Sequence, residues 1–137
     1  MKVCIAVFLL VTLAACNNGS SPTTTTSPTT ATLTTETFTG NVDVGSSDFK
    51  PFTAAQAGTV NVTLTAAGPP PTIFMGVGVG TPSGTTCALL SGGSTITPAG
   101  TSAQLSGTIS AGTYCVEVYD VGNQTAQISY TVTVAHP

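Results

Sequence analysis

Few residues in this chain are of a type that does chemistry. The one histidine, His136, stands next to the C-terminus, beyond the last apolar alternation, where a solvated tail residue is the expectation. Nucleophilic catalysis needs a nucleophile, a base and a group that orients the base, and no second histidine completes such a set. Lys50 precedes Pro51 and would serve only in a Ser–Lys arrangement, for which no serine stands out. The five acids are Glu36, Asp43, Asp48, Glu117 and Asp120. A carboxylate pair can cleave a glycosidic bond, but that work wants a long cleft, which a domain of about 100 residues does not offer. The expectation is a non-enzyme, with a small hydrolase as the remote alternative.

Binding chemistry has slightly more to work with. Zinc wants a tetrahedral nitrogen and sulfur set, which one histidine and two pairable cysteines do not supply. Calcium takes carboxylate, amide and backbone oxygens, and Asp120 and Asn123 flank one turn while Asp43 and Asp48 flank another. The same side chains at turns also bond their own backbone as Asx-turns. No cofactor is therefore expected, and calcium at Asp120 and Asn123 is the alternative. Glycan surfaces use exposed rings, and the chain has no Trp. Tyr114 and Tyr130 fall on apolar faces, which leaves Tyr119, beside Asp120 and near Asn123, as the best exposed ring. Tyr119, Asp120 and Asn123 are thus the candidate ligand surface.

Charge narrows the partners. The chain has two Lys or Arg, five Asp or Glu and a formal net charge of −3. Nucleic acid binding requires several cations to neutralise phosphates, and an electrostatic grip on anionic lipid requires the same; neither fits. Solubility falls to Thr, Ser, Asn, Gln and Gly.

The N-terminus reads as an address. Met1 and Lys2 precede an apolar run over residues 3–13, then Leu13-Ala14-Ala15-Cys16. That order is a secretory signal peptide, and its apolar stretch is short of the roughly 20 residues that span a bilayer. The tetrapeptide resembles a bacterial lipobox. The resemblance implies cleavage before Cys16, a lipid such as palmitate on Cys16, and a lipoprotein anchored in the membrane of the cell envelope. Asn17 follows the lipidated position; aspartate there favours inner-membrane retention in enterobacteria, so an outer-membrane destination is expected. Residues 16–35 are Ser-, Thr- and Pro-rich and too poor in apolar side chains to offset the entropy of folding. They read as a tether, about 25 Å long as a coil and roughly 60 Å when stretched, and also fit an O-glycosylated stalk. The N-glycosylation pattern occurs at Asn18, Asn61 and Asn123, as chance allows in a threonine-rich chain.

Of four cysteines, Cys4 leaves with the signal peptide and Cys16 takes the lipid. Cys87 and Cys115 remain, and an oxidising compartment predicts a disulfide between them. It would close a loop of about 29 residues, worth roughly 3–4 kcal/mol in the chain-entropy treatment.

These elements must be positioned by residues 36–137, which read as one domain. Val60, Val62 and Leu64 alternate with Thr59, Asn61, Thr63 and Thr65, as in a half-buried antiparallel strand. Gly68 to Pro71 is a loop, because consecutive prolines lack ladder donors. Residues 72–79 are apolar and β-rich; their Gly76-Val77-Gly78-Val79-Gly80 lacks the spacing of a dinucleotide fingerprint and reads as close packing or a strand bend. Gly80 to Gly84 reads as a turn, residues 87–90 as a short strand, and Ser91 to Ser94 as another turn before a minor strand. Residues 103–109, 113–120 and 128–134 complete the series, and no helical period is present. About eight short strands at this spacing predict an all-β antiparallel sandwich.

Leu105, then Ala111-Gly112-Thr113-Tyr114 with Val116 and Val118, then Tyr130, Val132 and Val134 form an order that resembles bacterial pre-peptidase C-terminal domains. Ala57-Gly58-Thr59-Val60 resembles their earlier strand. The resemblance implies a small jelly-roll-like sandwich of the kind appended to exported enzymes, with roles in secretion, substrate attachment or surface binding and, in some, calcium. It implies nothing catalytic. Together the readings predict a structural or interaction module for a protein or surface partner, with a carbohydrate- or calcium-binding module as the alternative.

Overall fold

The computed structural model describes residues 32–137. The expected signal peptide, Cys16 and Asn18, with most of the expected tether, lie outside the described residues. Eight strands follow in order: β1 (Thr34–Val42), β2 (Ser47–Ala54), β3 (Gly58–Gly68), β4 (Met75–Ser83), β5 (Thr86–Thr97), β6 (Leu105–Ile109), β7 (Gly112–Tyr119) and β8 (Ile128–His136). No helix occurs among the described residues. The chain is all-β, as its alternation predicts, and β1 starts two residues before Glu36.

Two antiparallel four-stranded sheets form, in the orders β1-β8-β3-β6 and β2-β7-β4-β5. This interleaving is the jelly roll, in which successive strands alternate between two packed sheets except at β4 and β5, which pair within one sheet. Side chains alternate in direction along a strand, so one set from each sheet meets inside. Val60, Val62 and Leu64 of β3 and Val132 and Val134 of β8 face Val77 and Val79 of β4 and Val116 and Val118 of β7; all are buried. Burying one such side chain contributes about 1.5–3 kcal/mol, which lets a domain with few charges cohere.

Two turn expectations are corrected. Gly80 to Ser83 stays in β4, and the chain reverses only at Gly84, whose φ is +61°. Residues 86–97 form one strand, β5, in which the pairing register with β4 shifts beyond Gly78. A local pattern of Gly and Ser cannot show that a neighbouring strand supplies ladder partners on both sides of a bulge. The Cys87–Cys115 disulfide is present, with Cα atoms 6.0 Å apart. It ties β5 to β7 where both meet β4: Gly80 pairs with Cys115 and Pro82 with Cys87. A Cβ on Gly80 would sit 2.9 Å from the Cys87 Sγ, so only glycine leaves room.

Pro51 sits in β2, an edge strand, the position where a missing N–H costs least. Pro69 to Pro71 lie in the loop that links β3 to β4, as expected, while Gly68 ends β3 opposite Ser129.

Candidate binding face

The outward faces of the two sheets differ in chemistry. Sheet β1-β8-β3-β6 presents hydroxyls and amides: Thr37, Thr133 and Thr63 lie in one row, with Thr39 and Thr131 in the next. An open hollow of about 700 Å³ lies along Thr39, Asn41, Ser129 and Thr131. The ring that borders it, Tyr130, is 3% exposed and commits its hydroxyl to Asp48.

Sheet β2-β7-β4-β5 presents the opposite character, and the glycine alternation of β4 is the cause. Val77 and Val79 point into the core, so Gly76, Gly78 and Gly80 line the outer face. From Gly76 to Gly80 the strand offers no side chains outward, and its neighbours lie down over it. A Cβ on Gly76 would fall 2.1 Å from two ring atoms of Tyr119, and one on Gly78 would fall 2.6 Å from a Leu89 methyl. Tyr119 pairs directly opposite Gly76, with Ile96 opposite on the other side. Aromatic cover of a strand glycine is a recognised sheet device. Here the Tyr119 ring lies over the Gly76 backbone, and the side chain stays half-buried.

Around this floor stand Phe49, half-buried, Leu89, 37% exposed, and Ile96, 59% exposed. Glu117 sits among them, opposite Gly78 on β4 and Phe49 on β2. It is half-buried and makes no hydrogen bond or ion pair among the described residues. A hollow of about 530 Å³ opens here, lined by Gly45, Ser46, Ser47, Leu89, Glu117, Tyr119 and Asp120.

Asp120 holds the rim. One carboxylate oxygen accepts the Gly45 N–H at 2.7 Å, and the other accepts those of Gly122, Asn123 and Gln124 at 2.8, 3.2 and 3.3 Å. Gly45 and Gly122, with φ of +72° and +87°, occupy the left-handed region that brings these amides round. The Gly45 amide above all holds the Asp120 pKa below the ordinary 3.8. The Asn123 side chain donates to the Phe74 carbonyl at 3.0 Å. Asp120 and Asn123 are therefore joined in one loop cluster, and their polar atoms knit the β1–β2 loop, the β7–β8 loop and the approach to β4. This is the Asx-turn chemistry weighed against calcium; a cation bound at Asp120 would compete with four backbone donors. Among the described residues no three His, Cys, Asp or Glu side chains group as metal ligands.

Two polar clusters went unseen in the sequence. Lys50 pairs with Asp48 at 3.0 Å, and Asp48 accepts the Tyr130 hydroxyl at 2.8 Å, which bridges β2 and β8 across the sandwich. Gly40 makes the space, since a Cβ there would lie 2.1 Å from the Asp48 carboxylate. Burial chiefly, then the hydrogen bond to Asp48 and the charge of Asp48, push the Tyr130 phenol well above its ordinary pKa. His136 overturns the tail expectation. It is the last residue of β8, 3% exposed, and its Nε2 lies 2.9 Å from Glu36 at the start of β1. Its ring packs 5.1 Å from that of Phe52, and Pro137 behind it accepts the Ala55 N–H. The terminal position gave no sign that β1 would pair with the last strand and that His136 would be buried.

No protein-family model matches this sequence, and no curated protein or solved structure matches it either. What the fold defines is a small disulfide-bonded jelly roll with one hydroxyl-rich face and one apolar face.

Proposed function

We propose that this chain is a non-enzymatic, lipid-anchored module of the bacterial cell envelope, lipidated on Cys16 and held off the membrane by residues 16–35. Its jelly roll presents the outer face of sheet β2-β7-β4-β5 to a partner. One observation carries this reading: Tyr119 and Leu89 lie over a glycine floor, flanked by Phe49 and Ile96, around a carboxylate with no partner among the described residues. An apolar surface beside polar groups is the usual mark of an interaction site. The resemblance to pre-peptidase C-terminal domains, which attach to surfaces, supports the same reading. The lipobox and the tether support display at a membrane, with the outer membrane preferred by Asn17. The polar clusters support a structural role over catalysis: Asp48 is shared by Lys50 and Tyr130, and His136 is enclosed by Phe52 and Pro137.

The test places a photo-reactive residue on each face of the full chain in intact cells. Ile96→p-benzoylphenylalanine should give adducts that Thr37→p-benzoylphenylalanine, on the hydroxyl-rich face, does not. Equal labelling from both positions, or none from Ile96, would sink the face assignment. The anchor is checked alongside, because Cys16→Ser should move the protein out of the membrane fraction.

A further inference from the structure

The same face carries a more specific reading, which rests on the proposed function above. We propose that the hollow beside Tyr119 binds a neutral pyranose unit of an oligosaccharide. Stacking sugars requires a ring held flat, with one face open and polar acceptors near its edge. Tyr119 meets the first condition because Gly76 lies beneath it and removes the side chain that would tilt it. It is half-buried, and its hydroxyl makes no hydrogen bond among the described residues. The C–H face of a pyranose would lie on this ring, with the Leu89 methyls extending the apolar floor over Gly78.

Polar groups supply the second condition. Glu117 lines the hollow with an uncommitted carboxylate, which can accept hydrogen bonds from two adjacent sugar hydroxyls. Ser46 and Ser47 also line the hollow, Ser47 directly across from Tyr119, and their side chains are without partners among the described residues. Asp120 is spent on four backbone amides and fixes the rim, so it is a positioning residue here. The volume of about 530 Å³ falls within the range of small-ligand sites, though the hollow is open, which suits one unit of a longer chain.

Charge selects among sugars. Glu117 and Asp120 both line the hollow and no cation does. Lys50, the only lysine or arginine among the described residues, is bound to Asp48. Uronic acids and sulfated sugars would meet like charge with nothing to offset it, which leaves neutral pyranoses.

The probes are cellohexaose and chitohexaose, titrated by calorimetry into the full chain in a sugar-free zwitterionic detergent. Binding by at least one is expected, with a hexagalacturonate control silent. Tyr119→Ala should weaken binding at least about tenfold, and Tyr119→Phe should stay within about threefold, because the ring supplies the contact. Should Tyr119→Ala fail to fold, Glu117→Gln, which touches no core packing, still serves and should weaken binding about threefold or more. Silence from both oligosaccharides up to about 10 mM, or binding unchanged in both variants, overturns the inference. Protein adducts from position 96 with both sugars silent would remove the sugar and leave the face. No adduct and no sugar binding would remove both.

Discussion

At the scale of single residues, Asp120 shows how one carboxylate can organise a molecule without taking part in chemistry. It collects amides from both sides of a loop junction, and those hydrogen bonds favour its charged form. Its folded pKa is depressed, so its contribution to stability is present above the unfolded value. That contribution is lost as the pH falls through the lower folded value. Asp120→Asn should therefore lower the unfolding midpoint at neutral pH, and the gap to the parent should shrink only below the ordinary aspartate value of 3.8. Thermal unfolding of both proteins over a pH series checks this; a gap that stays constant to about pH 2 would show that charge plays no part. The turn role of Asp120 was legible, because Asp before Val-Gly-Asn favours an Asx-turn. That Gly45, 75 residues away in sequence, supplies the first donor was not. His136 shows the converse, since nothing local distinguishes a tail histidine from one enclosed by the first strand.

At the scale of elements, β4 joins fold and face. Its alternation of Val and Gly sets valines in the core and leaves a smooth outer strip. The alternation was readable, and so was close packing as its meaning. Which side chains would do the packing depended on register: Tyr119 and Ile96 flank Gly76 only because β7 and β5 pair with β4 at those positions. Gly76→Val should lift the Tyr119 ring from the strand, since even the Cβ would stand 2.1 Å from ring atoms. Overpacking of this kind costs typically about 1–3 kcal/mol, lowered here by the solvent side onto which the ring can swing. The expected result is a modest loss of stability with increased Tyr119 exposure, read by tyrosine fluorescence quenching. An unchanged quenching profile would mean that Gly76 does not hold the ring.

Across the whole molecule, stability comes from a dry core of β-branched residues and from one covalent tie. The disulfide joins strands separated by 28 residues in sequence. Cys87→Ser with Cys115→Ser should cost about 3–4 kcal/mol by the loop-entropy argument. Denaturant unfolding of the double variant measures it, and a loss below about 1 kcal/mol would mean that the unfolded chain is already compact. The two faces then divide the surface by chemistry. Threonine rows of one sheet keep its outer face polar without charge, and the other sheet carries the apolar floor.

By itself the sequence determined the all-β class, about eight strands, the disulfide pair, and which side of β3, β7 and β8 is buried. These follow from period-two alternation, turn residues and cysteine count, all local or compositional signals. Only the tertiary structure decided what depends on strand neighbours. It set Tyr119 over Gly76, placed Lys50, Asp48 and Tyr130 in one cluster, carried β4 through its expected turn, and buried His136 against Glu36. The physical reason is that a jelly roll pairs strands distant in sequence. Which residues stand opposite one another is set by register between paired strands, and no local stretch records it.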